Sequence, residues 1–180
     1  FKKAAMETQH SFSINGGSEK TTYMASLAYL FQDGLSQEKN YERYNGRVNL
    51  DSKIANWVSA GINASAYRGI NNDEYSGFGS LLQWANRIPP TVPIYNEDGS
   101  FHFNGLDNPV ANQGNTGISR TMDQQLNATA YLNITPIEGL SIKGLYNLRH
   151  DYRETYSFKK NYVYGNETSN KDSGKREGSR

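Results

Sequence analysis

Apolar and polar residues alternate along most of this chain with a period of two, which is the pattern of a β-strand whose two faces differ. The alternation predicts about six strands, joined into hairpins by short polar segments near residues 16–20, 52–56 and 135–139. In TTYMASLAYLF, for example, one face would carry Tyr23, Ala25, Leu27, Tyr29 and Phe31. The predicted fold class is therefore all-β, built from antiparallel hairpins.

The stretch from Arg47 to Tyr67, RVNLDSKIANWVSAGINASAY, is a predicted hairpin with small apolar residues. Val48 and Leu50 share a face in its first arm, and alanines dominate one face of its second arm. A water-soluble core is normally filled with larger apolar side chains. A lipid-facing side accounts for the small residues better. DSKIAN would then be the turn, with Trp57 close to the membrane interface.

Short joints at one end of the predicted strands contrast with long loops at the other end. The longest interruption of the alternation runs from about residue 69 to 121, and a structureless loop of that size is usually functional. Strands of about ten residues with this asymmetry are typical of a transmembrane β-barrel. A soluble β-sandwich gives the same alternation, and the strand pattern alone favours neither. The loop asymmetry and the small apolar residues favour the barrel.

Tyrosines and basic residues fall at informative places in this pattern. Tyrosines near strand ends would suit the interfacial aromatic girdle of a barrel. These tyrosines are Tyr29, Tyr41, Tyr44, Tyr67 and Tyr131. Basic residues on the polar faces could line an anion-attracting lumen or pair with neighbouring carboxylates. These basic residues are Arg43, Arg47, Lys143 and Arg149.

Composition excludes several classes of protein. Of the 180 residues 36% are hydrophobic, the mean hydropathy is −0.79 and the net charge is +1. That charge gives no support to a nucleic-acid partner, which needs a basic patch or stripe. The sequence has no cysteine, which excludes disulfides, and no apolar run of the roughly 18 residues that a transmembrane helix needs. With neither an initiator Met nor a signal peptide, we expect an internal part of a longer protein.

Four segments, in this order, resemble the barrel portion of the SusC/RagA family of TonB-dependent outer-membrane transporters. They read SINGGSEKTTYMASLAYLFQDGL, NYERYNGRVNLDSKIANWVSAGINASAY, RIPPTVPIYNEDGSFHFNG and LNATAYLNITPIEGLSIKG. The resemblance covers the chain from about residue 9 to 151.

The resemblance implies an internal fragment of a large barrel in the outer membrane of a Gram-negative, Bacteroidetes-type bacterium. Residues 1–151 would be barrel strands and hairpins, including an extracellular loop at 69–121, and residues 152–180 would be a polar loop or truncated tail. The short joints would face the periplasm. The implied partners are a SusD-like surface lipoprotein, membrane lipid and the TonB complex, which would contact a plug or N-terminal region. The implied cargo is an oligosaccharide or, less often, a peptide.

The long loop carries the most distinctive local chemistry, LLQWANRIPPTVPIYNEDGSF. Its first part could form one or two helical turns, its prolines enforce an extended path, and Asp98-Gly99 is a hairpin-turn pair. Aromatic side chains offer rigid contact area for a sugar ring or a peptide. The candidate substrate-binding residues are Trp84, Arg87, Tyr95 and Phe101. The alternative is that they pack the loop against the barrel wall or the lipoprotein.

The sequence predicts no enzyme, no cofactor and no metal site. The loop carboxylates lack the spacing of a calcium-binding loop, and the isolated histidines lack ligand spacing. These residues are Asp73, Glu74, Glu97, Asp98, His10, His102 and His150. Beside the transporter, two alternatives stay open: a soluble β-sandwich that binds glycans, and a surface-adhesion module.

Overall fold

The computed structural model describes residues 2–102, 108–113, 117–159, 162–164, 167–169 and 173–179. Six long strands carry the fold: β1 Glu7–Gly17, β2 Thr21–Asp33, β3 Asn40–Ala55, β4 Val58–Glu74, β5 Gly117–Ile137 and β6 Leu140–Lys159. Three shorter strands follow: β7 Tyr162–Tyr164, β8 Glu167–Ser169 and β9 Ser173–Ser179. Two helices lie between β4 and β5: α1 Phe78–Arg87 and α2 Pro109–Asn112.

The long strands form one antiparallel meander. The order of strands in the large sheet is β1-β2-β3-β4-β5-β6-β9, and β7 pairs with β8 in a separate sheet of two strands. The predicted all-β class is confirmed, with β1–β6 as the six expected strands and β9 as an addition. The long described strands form a single layer rather than two packed sheets, so the β-sandwich is not the fold. None of the described helices has both the length and the apolar character needed to cross a membrane.

Cross-strand pairing places the alternating residues on two unlike faces, because directly opposed residues share a face of the sheet. Val48 is opposite Ala64, Ala64 is opposite Ala128, and Ala128 is opposite Leu148. The neighbouring positions form a polar row on the other face: Ser26, Arg47, Ser65, Asn127 and Arg149. The sheet therefore has an apolar face and a polar face, as the alternation predicts.

The apolar face is exposed in this chain. Phe12, Leu27 and Tyr146 on this face are 67%, 66% and 70% exposed, respectively. The buried hydrophobic residues, in contrast, are few and lie at the loop end of the sheet or in the long loop: Leu30, Ile70, Leu81 and Ala111. A continuous exposed apolar surface of this kind marks contact with a membrane or another protein.

The strands are longer at the loop end than the sequence predicts. β4 continues to Glu74 and β5 begins at Gly117, so the segment between them is 75–116 instead of 69–121. The predicted tail at 152–180 begins inside β6, which ends at Lys159, and contains β9. Most side chains near these ends are polar and the apolar ones, such as Ile70 and Met122, are isolated, so the sequence shows no regular alternation there, whereas backbone pairing continues.

The connections at the opposite end are tight. Asn56 and Trp57 separate β3 from β4, and Glu138 and Gly139 separate β5 from β6. Gly139 has a φ of +83°, which glycine adopts without strain. The pairing of β5 with β6 shifts register between Ile134 and Ile137, around Pro136, which has no N–H to donate. All the short joints therefore lie at one end of the sheet.

The tyrosines divide between the two faces. Tyr29 and Tyr44 are cross-strand partners on the apolar face, with ring centroids 5.0 Å apart. The girdle prediction is wrong for the other three, because their register puts them on the polar face: Tyr41, Tyr67 and Tyr131. There the hydroxyls of Tyr41 and Tyr67 are 2.9 Å apart, and the Tyr131 hydroxyl donates to Asp51.

Candidate functional site

The segment between β4 and β5 contains most of the non-strand structure among the described residues. Helix α1 packs through Leu81, which is buried, and ends where Ile88 adopts an extended conformation. A residue that precedes proline is pushed out of the helical region, and Pro89 follows Ile88. The proline-rich stretch then runs toward a small hairpin. This segment, residues 75–113 as far as it is described, is here called the β4–β5 loop.

The hairpin in the β4–β5 loop is closed by backbone and side-chain hydrogen bonds. Tyr95 and Phe101 form an isolated β-bridge, and the Asn96 N–H donates to the Ser100 carbonyl over 2.8 Å. Gly99 occupies the turn with a φ of +81°. The Ser100 hydroxyl and N–H both donate to the Asp98 carboxylate, and these two hydrogen bonds lower the pKa of Asp98 from its ordinary value. The sequence prediction of a turn at Asp98-Gly99 is confirmed.

Asn108 connects the hairpin to helix α2. Its side-chain oxygen accepts hydrogen bonds from the N–H groups of Val110 and Ala111, as an N-cap residue does. Its amide nitrogen donates to the carbonyls of Ile94 and His102, over 2.9 Å and 3.1 Å. Asn108 is buried, so these four bonds are made away from water. One side chain therefore fixes the far half of the β4–β5 loop.

An apolar groove with a volume of about 400 Å³ lies within the β4–β5 loop. Its walls come from one face of α1, the proline-rich stretch and the start of α2. Its apolar lining is Leu81, Leu82, Ala85, Ile88, Pro89, Pro90, Val92, Pro93, Ile94, Pro109 and Val110, and its polar lining is His102, Asn108 and Gln113. Among the described residues, the buried side-chain nitrogen of Gln113 has no hydrogen-bond partner. Apolar walls with a few polar groups are typical of ligand pockets.

The structure brings two of the four predicted substrate-binding residues together. The rings of Tyr95 and Phe101 are stacked, with centroids 5.3 Å apart and an interplanar angle of 28°. Trp84 and Arg87 lie on α1, but the described groove lining from that helix is Leu81, Leu82 and Ala85. The substrate-binding role of all four stays a prediction. Sequence reasoning missed Asn108, for which the Asn-Pro pair before a short helix was the available signal.

The base of the β4–β5 loop is tied to the connection between β2 and β3. Lys39 Nζ forms an ion pair with Asp73 over 3.0 Å and lies 6.0 Å from the centre of the Phe78 ring. The hydroxyl of the buried Ser36 donates to the buried Glu74 carboxylate. Asp73 and Glu74, two of the four loop carboxylates considered above, are thus paired within the protein. Among the described residues, no group of three or more histidine or acidic side chains is placed to hold a metal ion.

The polar face carries a second cavity between β4, β5 and β6, of about 470 Å³. Its lining is Tyr67, Asp123, Gln124, Gln125, Asp151, Tyr152 and Arg153. Asp151 accepts hydrogen bonds from Gln125 and Arg149, and Asp123 pairs with Arg153. Of the predicted lumen cations, Arg149 is therefore paired, while Lys143 lies 5.2 Å from the centre of the Tyr131 ring.

Several known proteins are similar to this chain in sequence or in structure. TonB-dependent receptor P26 of Formosa agariphila is 33% identical over 172 residues, which are 88% of this chain and 16% of that receptor. TonB-dependent receptor SusC of Bacteroides thetaiotaomicron is 33% identical over 104 residues, 57% of this chain and 10% of SusC. The RagAB peptide importer in its open-open state superimposes with a TM-score of 0.66 at 26% identity, over 84% of this chain and 18% of that one. No family model matches the chain.

These similarities identify the class of protein to which the chain belongs. The chain is a stretch of β-barrel from a TonB-dependent receptor, since its sheet matches a barrel chain and its sequence matches receptors of that name. Within the class it is of the SusC/RagA type, as the four resembling segments predict. The chain spans 16% and 10% of the lengths of the two receptors named above.

Proposed function

We propose that this chain supplies strands and an external loop to a TonB-dependent outer-membrane transporter that imports oligosaccharides or peptides. The observation that carries the proposal is the two-faced sheet, in which a large apolar face is exposed and the opposite face is polar. In water such a sheet is unfavourable, whereas in a closed barrel the apolar face contacts lipid and the polar face lines an aqueous lumen.

The dimensions of the apolar face fit a bilayer. On β4 the apolar positions run from Val58 to Ala66, and on β5 from Leu126 to Ile134. A tilted strand crosses the hydrocarbon layer in about 9–11 residues. Arg68 and Gln124 then mark one boundary of the band, and the tight turns mark the other. The tight turns would face the periplasm and the β4–β5 loop the outside, which agrees with the usual asymmetry of such barrels.

The β4–β5 loop is the proposed place of cargo contact. The apolar groove and the adjacent Tyr95–Phe101 stack offer rigid surfaces for a sugar ring or an apolar peptide side chain. Trp84 and Arg87 on α1 would extend that surface. A SusD-like surface lipoprotein is the proposed partner at this side, and TonB, acting through a plug domain, is the proposed energy source. The likeness to SusC and to the RagAB peptide importer supports transport rather than catalysis.

A loop replacement tests the proposal in the receptor that contains this chain. Residues 76–115 are exchanged for a short Gly-Ser linker, and uptake of labelled oligosaccharides and peptides by intact cells is measured. We expect uptake to fall to background while the barrel still assembles in the outer membrane, as shown by heat-modifiable migration on gels. A Tyr95→Ala, Phe101→Ala double variant should lower uptake partly, and Tyr146→Ala on the apolar face serves as its matched control.

Two results would count against the proposal. If uptake survives the exchange, the β4–β5 loop does not contact the cargo. If the receptor is folded but does not fractionate with the outer membrane, the proposal that it is an outer-membrane transporter is wrong.

A further inference from the structure

A row of polar and aromatic side chains borders the apolar face at the loop end of the strands. Cross-strand pairing aligns them in one row over five strands: Tyr29, Tyr44, Arg68, Gln124 and Tyr152. The next row toward the tight turns is apolar in β2–β5: Leu27, Gly46, Ala66 and Leu126. Arg68 is therefore the first charged residue on this face beyond the apolar band, and it lies in the middle of its row.

The guanidinium of Arg68 lacks an anionic partner among the described residues. The ion pairs that the structure shows there join Lys2 to Asp33, Lys39 to Asp73, Arg149 to Asp151 and Arg153 to Asp123. The Arg68 guanidinium donates to the Met122 sulfur over 3.4 Å, and sulfur is a weak acceptor. Arg68 is also exposed. An arginine in this setting has most of its donors available.

Two carboxylates one position further along this face, Glu42 and Glu154, accept hydrogen bonds from tyrosines of the row. The Tyr44 hydroxyl donates to Glu42 over 3.0 Å, and the Tyr152 hydroxyl donates to Glu154 over 2.9 Å. Glu42 is opposite Ile70, one position beyond Arg68 on this face. The tyrosine hydroxyls thus bind the acidic groups, while the Arg68 donors point to a ligand from outside the chain.

We propose that Arg68 binds the phosphate of an anionic membrane lipid, with the Tyr44 ring and the Gln124 amide on either side of the headgroup. The inference rests on the proposed membrane function, because only then does the row lie level with the headgroups. A guanidinium recognises phosphate oxygens through two parallel hydrogen bonds, which a point charge does not do. The small residues Gly46 and Ala66 directly below leave room for the acyl chain beside Leu27 and Leu126.

The test measures lipid binding to the purified receptor that contains this chain. The detergent-solubilised receptor is titrated with phosphatidylglycerol or with phosphatidylcholine, and bound lipids are counted by native mass spectrometry. We expect Arg68→Gln to weaken phosphatidylglycerol binding at one site about fivefold, the effect of one basic residue near an anionic headgroup. Arg68→Lys should weaken it less. Arg47→Gln, on the opposite face of the adjacent strand, is the matched control and should change nothing.

Each further outcome decides between explanations. If Arg68→Gln binds phosphatidylglycerol as tightly as the unmodified receptor, the proposal is wrong. Inorganic phosphate at millimolar concentration is also tested as a competitor. If it displaces bound phosphatidylglycerol as effectively as added phosphatidylglycerol does, the site binds a free anion and the proposal is also wrong. A receptor that binds phosphatidylcholine and inserts into bilayers but shows no Arg68 effect overturns this inference alone. A folded receptor that inserts into no bilayer overturns the proposed transporter as well.

Discussion

Asn108 shows how much of the β4–β5 loop depends on one side chain. It caps α2 through its oxygen and holds the hairpin through its nitrogen, while being buried. An amide suits this position because it combines an acceptor with two donors in one planar group. An aspartate would keep the cap but would lose the bonds to both carbonyls.

We predict that Asn108→Ala loosens the far half of the β4–β5 loop without unfolding the sheet. The lost cap and the lost hydrogen bonds to the carbonyls of Ile94 and His102 should together lower the local stability by about 2 kcal/mol. Hydrogen exchange at the Val110 and Ala111 amides should accelerate roughly thirtyfold, since about 1.4 kcal/mol corresponds to a factor of ten. Asn86→Ala, at an exposed position on α1, is the control. Unchanged exchange in Asn108→Ala would refute this role.

Single residues were the hardest to place from the sequence. The parity of Tyr41, Tyr67 and Tyr131 already put them in the polar set, but their nearness to strand ends suggested a girdle instead. The stacking of Tyr95 on Phe101 follows from a turn that the Asp98-Gly99 pair predicted. The groove was not predictable, because it depends on how α1 and α2 approach each other, and no local pattern encodes that approach.

At the scale of the strand, neighbouring residues should respond in opposite ways to the same substitution. Ala64 lies on the apolar face between Val48 and Ala128, and Ser65 lies on the polar face between Arg47 and Asn127. We predict that Ala64→Arg costs about 2–4 kcal/mol of folding stability in a bilayer, as a charge near the membrane midplane does. Ser65→Arg should cost much less, because a lumen side chain stays hydrated.

Urea unfolding of the receptor in lipid vesicles, followed by tryptophan fluorescence, measures both variants. Both substitutions introduce an arginine in place of a small residue at adjacent positions of one strand, so the strand propensity of arginine does not separate them. Equal losses of stability, or a larger loss for Ser65→Arg, would show that the assignment of faces is wrong.

The central parts of the strands were predictable because their alternation is regular. From Val48 to Ala66 every apolar position predicted from the sequence lies on one face. Beyond Arg68 and before Leu126 the apolar residues are isolated among polar ones, so no regular alternation marks the last stretch of β4 or the first stretch of β5. Backbone hydrogen bonds extend these strands, and they do not depend on side-chain pattern.

For the whole molecule, the exposed apolar face determines whether the chain stays dispersed in water or requires detergent or lipid. Phe12, Leu27 and Tyr146 lie on that face and are largely exposed, and β1 leaves one sheet edge unpaired among the described strands. We predict that the 180-residue chain, produced alone, aggregates in aqueous buffer and becomes dispersed in detergent. Size-exclusion chromatography with light scattering in both buffers measures this, and a stable monomer in water would contradict it.

At this scale the sequence predicted the family, although the strand pattern alone did not. The alternation alone left barrel and sandwich open. The loop asymmetry and the small apolar residues favoured the barrel, and the resemblance of four ordered segments to the SusC/RagA family supported that choice. The matches to TonB-dependent receptors and the single-layered sheet agree with that choice. The cargo was not predictable, because membership of a family does not fix the substrate that a binding site accepts.

The length of the strands beyond Arg68 and Gln124 has a consequence for what can reach the loop. From Gly117 to Gln125, β5 adds roughly 30 Å of strand at about 3.4 Å per residue. With the usual tilt of about 40°, this is a height of roughly 20 Å above the apolar band. On the proposed orientation the base of the β4–β5 loop therefore stands clear of the lipid headgroups. A loop raised in this way would be open to bulky or branched molecules from the side, so we expect clearance above the membrane, as well as shape, to affect which molecules the proposed cargo site admits.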